Sequence, residues 1–261
     1  MKIATEDPIL QVYNLTVHYS NTIVLSDVTI SITSGCMVGI IGPNGAGKST
    51  LLQAIVGLIP YTSGKIYIAG KKPSEARNAF AYIAQRSSVD WDFPITVYDM
   101  VLMGCYGQLG WFRRPGKQEY ERVYEALRLV GLEAMACSPI GNLSGGQQQR
   151  AFIARALMQK PSMYILDEPF AGVDAVSEEI IMRLFQQLRN EGKTVIIVHH
   201  DLVTAPRYFD SVVLLNKACI AQGPIELVLH EDNLNLLYGR AYSMHQQVKS
   251  SSFNNKIQFD I

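Results

Sequence analysis

Apolar residues along this chain fall into short blocks of different period, and the blocks alternate. Mostly apolar runs at 37–41, 163–166, 194–198 and 211–215 predict strands of an α/β core, the first with the continuous apolar character of a buried parallel strand. Residues 10–19 and 24–32 predict two more strands, joined by the turn Tyr19-Ser20-Asn21. In the second, Val24, Ser26, Val28, Ile30 and Ile32 alternate with Leu25, Asp27, Thr29 and Ser31. Segments 65–69 and 80–84 read as a further strand pair with Gly70 at the turn. Helical spacing appears at Leu51, Leu52, Ile55 and Val56, ended by Gly57, then over 119–132, closed by Gly131, and over 176–190. The pattern predicts an antiparallel sheet beside an α/β core.

From Gln85 the pattern changes. Residues 86–142 are rich in aromatics and turn residues and read as an inserted helical lobe, which the next helix carries to about residue 160. Residues 1–240 then form one domain, and 241–261, polar and holding Ser250-Ser251-Ser252 and Asn254-Asn255, are expected to be loosely ordered. With 261 residues, 48% of them hydrophobic, the chain can bury a full core. Lys plus Arg and Asp plus Glu both number 23, so no basic excess points to a nucleic-acid partner. Cys36, Cys105, Cys137 and Cys219 are far apart without a Cys-x-x-Cys pair, which argues against a zinc site or a disulfide framework and suits a reducing compartment. No stretch approaches the ~18 apolar residues of a membrane span.

Candidate chemistry starts at Gly42-Pro43-Asn44-Gly45-Ala46-Gly47-Lys48-Ser49, followed by Thr50. This is the phosphate-loop spacing, set between a strand and a helix: glycines let a phosphate approach bare backbone, and the helix start offers free N–H groups and its dipole. Lys48 would neutralise the outer phosphates, and the Ser49 hydroxyl would join the shell of a Mg²⁺ ion. The run 163–166 ends in Asp167 and Glu168. Side chains alternate along a strand, so the two acids can hold separate tasks, Asp167 supporting Mg²⁺ and Glu168 polarising an attacking water. Leu143-Ser144-Gly145-Gly146-Gln147 opens another helix, with Ser144 suited to the N-cap and two glycines that let an anion approach. One nucleotide needs one cradle, so a second suggests ATP shared between two molecules.

These motifs resemble the nucleotide-binding subunit of an ATP-binding cassette (ABC) transporter over about residues 10–235. The resemblance implies a P-loop NTPase core with an N-terminal antiparallel β subdomain and an inserted α-helical subdomain. By position it also implies that Tyr19 stacks on adenine, that Gln85 touches Mg²⁺ and senses a membrane subunit, that Asp174 lines a dimer seam, and that His200, before Asp201, contacts the γ-phosphate. Ala171-Gly172-Val173-Asp174 departs from the commoner Ser-Ala-Leu-Asp, and His199 stands where Thr or Ser is more frequent. Segments 85–94 and Gly104, Tyr106 and 110–115 are similar to the ATPase subunits of manganese, zinc and iron importers. The lobe aromatics are either a socket for a partner's helix or a small local core. The implied assembly is two copies of this chain sandwiching ATP and Mg²⁺, at the cytoplasmic face of a membrane, against a multi-span permease served by a metal-binding protein outside. The alternatives are a cassette for another solute, such as an iron chelate, and a non-transport ABC ATPase. The latter usually has two cassettes or a long coiled coil, and this chain has no sustained heptads.

Overall fold

A computed structural model describes residues 8–86, 89–109 and 113–239. The expectation for the tail at 241–261 and those resting on Ser87, Ser88, Gly110, Trp111 and Phe112 lie outside the described residues. In chain order the strands are β1 (Pro8–Tyr19), β2 (Thr22–Thr33), β3 (Met37–Ile41), β4 (Ser63–Ile68), β5 (Phe80–Ile83), β6 (Met163–Leu166), β7 (Thr194–His199), β8 (Ser211–Asn216) and β9 (Ala218–Pro224). The helices are α1 (Lys48–Ile55), α2 (Val97–Leu102), α3 (Tyr106–Leu109), α4 (Lys117–Leu129), α5 (Gly145–Met158), α6 (Ala175–Asn190), α7 (Ala205–Tyr208), α8 (Ile225–Val228) and α9 (Glu231–Tyr238).

Two sheets form. One is antiparallel in the order β2-β1-β4, and the other has the order β5-β6-β7-β3-β8-β9, parallel except where β9 returns against β8. Segments 65–69 and 80–84 are therefore not partners, contrary to the sequence expectation. Gly70, at φ +74°, does make a tight turn, but it closes only the Ile68–Lys71 bridge. β4 joins β1, whereas β5 crosses to the edge of the parallel sheet beside β6. Alternation in β2 also slips. Leu25 is buried, then Val28, Ile30 and Ile32, because Asp27 sits at φ +52° in a bulge opposite a matching one at Asn14 (φ +48°). The two side chains bond across it, Asn14 Nδ2 to Asp27 Oδ1 at 2.6 Å.

Each parallel strand feeds two cores. Val38, Ile40, Met163, Ile165, Ile196, Val198, Val213 and Leu215 pack with α1 and the antiparallel sheet, while Met37, Ile41, Tyr164, Leu166, Val195, Ile197, Val212 and Leu214 pack towards α6 and the helical lobe. This two-faced burial explains why these strands read as continuous apolar runs. Tyr164 is buried with its ring centroid 6.1 Å from that of Phe185, a packing role.

The lobe is tied at both ends of one helix pair. Arg122 of α4 donates to the Met158 carbonyl at the end of α5 (2.6 Å), and Arg150 of α5 donates to the Val130 carbonyl just past α4 (2.8 Å). Both cations meet the negative end of the partner helix, where carbonyls lack intrahelical donors. Arg122→Met should lower stability by about 1–2 kcal/mol, read by urea unfolding, because it removes a charge-assisted bond while keeping the stem. An unchanged midpoint would deny the clamp.

Candidate functional site

β3 carries the chain into the centre of the parallel sheet, between β7 and β8, and the loop after it opens at the strands' carboxyl ends, where such sheets bind ligands. Gly42 has no room for a side chain, since a Cβ there would lie 2.0 Å from the Leu215 carbonyl oxygen. Gly47 needs φ +91°, and its Cβ would strike Leu25 at 2.5 Å. Helix α1 starts at Lys48 without a side-chain cap, so its first N–H groups are left for another acceptor. Lys48 is 6% exposed and its Nζ donates to the Gly42 and Pro43 carbonyls, both at 2.9 Å. Burial pulls its pKa down, opposed by the charges of Glu168 and Asp167. An open cleft of about 430 Å³ is walled by Val24, Asn44, Gly45, Ala46, Gly47, Lys48, Ser49, Thr50 and Glu168.

The two acids after β6 face different partners. Asp167 is buried, and its Oδ1 accepts from Ser49 Oγ at 2.9 Å while the Tyr82 hydroxyl approaches Oδ2 at 3.5 Å. Burial raises its pKa, and the Ser49 bond, the Tyr82 bond and Lys48 counter the rise. Glu168 takes up φ +47°, and its Oε2 accepts from Gln85 Nε2 at 3.0 Å. Its position in the left-handed region is a local strain of the kind that collects at functional sites. The Ser49 hydroxyl and the Asp167 carboxylate, in contact beside the phosphate loop, are hard oxygen donors of the type Mg²⁺ takes. No group of three or more His, Cys, Asp or Glu among the described residues could hold a metal by itself.

At the end of β7 the two histidines differ. His199 is buried, its Nε2 lies 2.9 Å from Thr204 Oγ, and that hydroxyl donates to Asp201 Oδ2 at 2.9 Å, so His199 carries its proton on Nε2. Burial lowers its pKa, with a further push from His200. His200 is exposed just past the strand.

The second helix start is built as the sequence predicts. Ser144 Oγ accepts from the Gln147 N–H at 3.3 Å and the Gln147 side chain accepts from the Ser144 N–H at 2.8 Å, a reciprocal capping box. Gly146 is required there, because a Cβ would come within 2.5 Å of Asp174 Oδ2 and Ser177 Oγ. Asp174 in turn caps α6, accepting from the Ser177 N–H at 2.9 Å. Ser144 and Asp174 are exposed.

The family model for ABC transporters matches residues 25–171 of this chain. A zinc transport system ATP-binding protein, TroB of Treponema pallidum (strain Nichols), is 51% identical over 230 residues, covering 88% of this chain and 86% of that protein. The chain belongs to the ABC transporter family. The manganese transport system ATP-binding protein MntB of Bacillus subtilis (strain 168) is also 51% identical, over 226 residues, 87% of this chain and 90% of that one. Among solved structures, an ATP-binding cassette dimer in a post-hydrolysis state with ADP and Pi superposes with a TM-score of 0.73 at 30% identity, covering 83% of this chain and 98% of that one. This ABC chain is an ATPase subunit by family, and cassettes of the family pair. Among its described residues no helix is long and apolar enough to cross a membrane.

Of the residues singled out in the sequence of this cassette, Ser49 of the phosphate loop bonds Asp167 and Gln85 bonds Glu168, and of these four Ser49 and Glu168 line the cleft. Tyr19 stands exposed at the end of β1 and is not part of the cleft wall. Ser144, Gly145, Gly146, Gln147 and Asp174 form their own cluster, also outside that wall. Trp91 is half buried against Phe152 (centroids 5.0 Å apart), so it serves the local core, whereas Phe93 is 59% exposed. Sequence reasoning missed Val24 in the cleft wall, Tyr82 beside Asp167 and the His199–Thr204–Asp201 chain. Val24 and Tyr82 reach the site only through tertiary contact, whereas His199, Asp201 and Thr204 lie within six residues, and an Asp and a Thr close behind a strand-end His were the signal that could have found that chain.

Proposed function

We propose that this chain is the ATP-binding and hydrolysing subunit of an importer of divalent transition metal ions, manganese or zinc, lying on the cytoplasmic face of a membrane beneath a multi-span permease fed by an external metal-binding protein. The observation that carries the ATPase chemistry is the pair of bonds Ser49–Asp167 and Gln85–Glu168, of which Ser49 and Glu168 face the phosphate-loop cleft. The metal assignment rests on the 51% identity to proteins named for zinc and manganese transport.

Lys48 leaves its two loop carbonyls to pair with the outer phosphate oxygens, while Gly42, Pro43, Asn44, Gly45, Ala46, Gly47 and Thr50 wrap the phosphates with backbone and hydroxyl donors. Tyr19 offers its exposed ring to adenine. Ser49, Gln85 and Asp167 are the residues to hold Mg²⁺, which when bound shields the β- and γ-phosphate charge. Glu168 orients and deprotonates water, and His200 donates to the γ-phosphoryl oxygens. Ser144 and Asp174 stand exposed, and the cluster they form with Gly145, Gly146 and Gln147 is separate from the cleft, which is the arrangement expected if each ATP is completed by a second copy of the chain.

The test is uptake of labelled Mn²⁺ and Zn²⁺ into vesicles holding this chain with its permease and binding protein. ATP-dependent uptake of one ion, abolished by Glu168→Gln, is the expected result. Intact hydrolysis with no uptake of either ion would overturn the metal assignment and leave the ATPase standing.

A further inference from the structure

Gln85 and Arg86 are adjacent in the chain but bond to opposite parts of the molecule. Gln85 donates to Glu168 in the core, whereas Arg86 donates to Gln148 Oε1 on α5 through both Nε (2.9 Å) and Nη2 (2.8 Å). Gln148 is only 3% exposed, and its Nε2 donates to the Ile140 carbonyl at 3.3 Å, so a buried amide is satisfied at both ends by this arrangement. Arg86 is itself held. Its carbonyl accepts from Trp91 Nε1 at 3.0 Å, its guanidinium lies 5.6 Å from the Trp91 ring centroid, and a Cβ on Gly145 would sit 3.3 Å from its Cζ. The guanidinium thus bears on the first turn of α5, the turn that starts at Ser144 and carries the capping box. One peptide bond joins Arg86 to the residue that touches Glu168, so the two anchorages share one short stretch of backbone.

We propose that Arg86 is a positioning residue that ties the Ser144 end of α5 to Glu168, so that occupancy of a chain's own ATP site is felt at the site which its α5 completes in the partner copy. This rests on the paired arrangement proposed above. A two-donor bond from a cation to a buried amide is directional, so it transmits displacement where an apolar contact would slip.

Three variants of the full chain test it: Arg86→Ala, Gln148→Met, which keeps the buried volume, and the two together. Fluorescent ATP binding at low protein concentration should stay within about twofold in all three, because the phosphate loop is untouched. The Hill coefficient for ATP in hydrolysis should fall from about 2 towards about 1, with two sites setting the ceiling. The double variant should be no worse than either single one, as expected of residues acting through each other. Cooperativity in Arg86→Ala equal to the parent, or additive losses in the double variant, would overturn the proposal. A large loss of ATP binding or of the thermal midpoint would also overturn it, by making Arg86 merely structural. A parent chain whose hydrolysis per chain shows no cooperativity and no dependence on protein concentration would remove the paired arrangement itself, a result recognisable before any variant is made.

Discussion

Glu168→Gln should leave ATP binding intact and cut hydrolysis by ~10² or more, the usual contribution of a positioned general base. The change keeps size and leaves an oxygen to accept from Gln85, which stands 3.0 Å from Glu168 Oε2, so the local frame persists. What disappears is the charge that draws a proton from water. The same loss removes repulsion against the phosphates, so ATP should bind at least as tightly as in the parent chain. Phosphate release and equilibrium ATP binding, measured on the same preparation, separate the two effects. Turnover near that of the parent would take Glu168 out of the role of base and shift attention to His200.

Lys48→Met should weaken ATP binding by ~10- to 100-fold, the range of a hydrogen bond to a charged group, without lowering thermal stability. The opposite signs follow from burial. Lys48 is 6% exposed, and desolvation already disfavours its charge more than Asp167 and Glu168 favour it, so an apolar stem of similar length relieves a cost in the nucleotide-free protein. Its bonds to the Gly42 carbonyl, which is buried, and to the Pro43 carbonyl, which is part-buried, are lost and offset part of that relief, so the melting point should stay near that of the parent. ATP titration by calorimetry together with a melting curve would test this. A variant that binds ATP normally would exclude Lys48 as a phosphate ligand, and one that melts far below the parent would show that its main task is to hold the loop.

Legibility in the sequence followed the range of the interactions involved. The phosphate loop, the N-cap at Ser144 and the acid pair at Asp167–Glu168 could be read directly because their demands are local: left-handed backbone at Gly47, a hydroxyl accepting from the first turn of its own helix, a strand that ends in carboxylates. The strand partners of 65–69 and 80–84 were misjudged because Gly70 marks a turn without specifying which strand lies beyond it. Pairing with β1 or β6 is decided by apolar faces far away in the chain. The slipped alternation at Asp27 had the same origin, since the bulge depends on Asn14 in the neighbouring strand.

By itself the sequence determined the strands and main helices of the α/β core, the ATPase class and the family, since motif residues at fixed spacing are recognisable wherever the chain places them. Only the tertiary structure decided which of two histidines is buried against Thr204 and which faces outward. It also showed that Trp91 belongs to the lobe's own core, and that Gln85 and Arg86 point to the catalytic acid and to α5 respectively. The contacts of Trp91, Gln85 and Arg86 are long-range and form only when the sheet and the lobe have packed, whereas the His199–Thr204 bond spans five residues and it is the burial of His199 that packing decides.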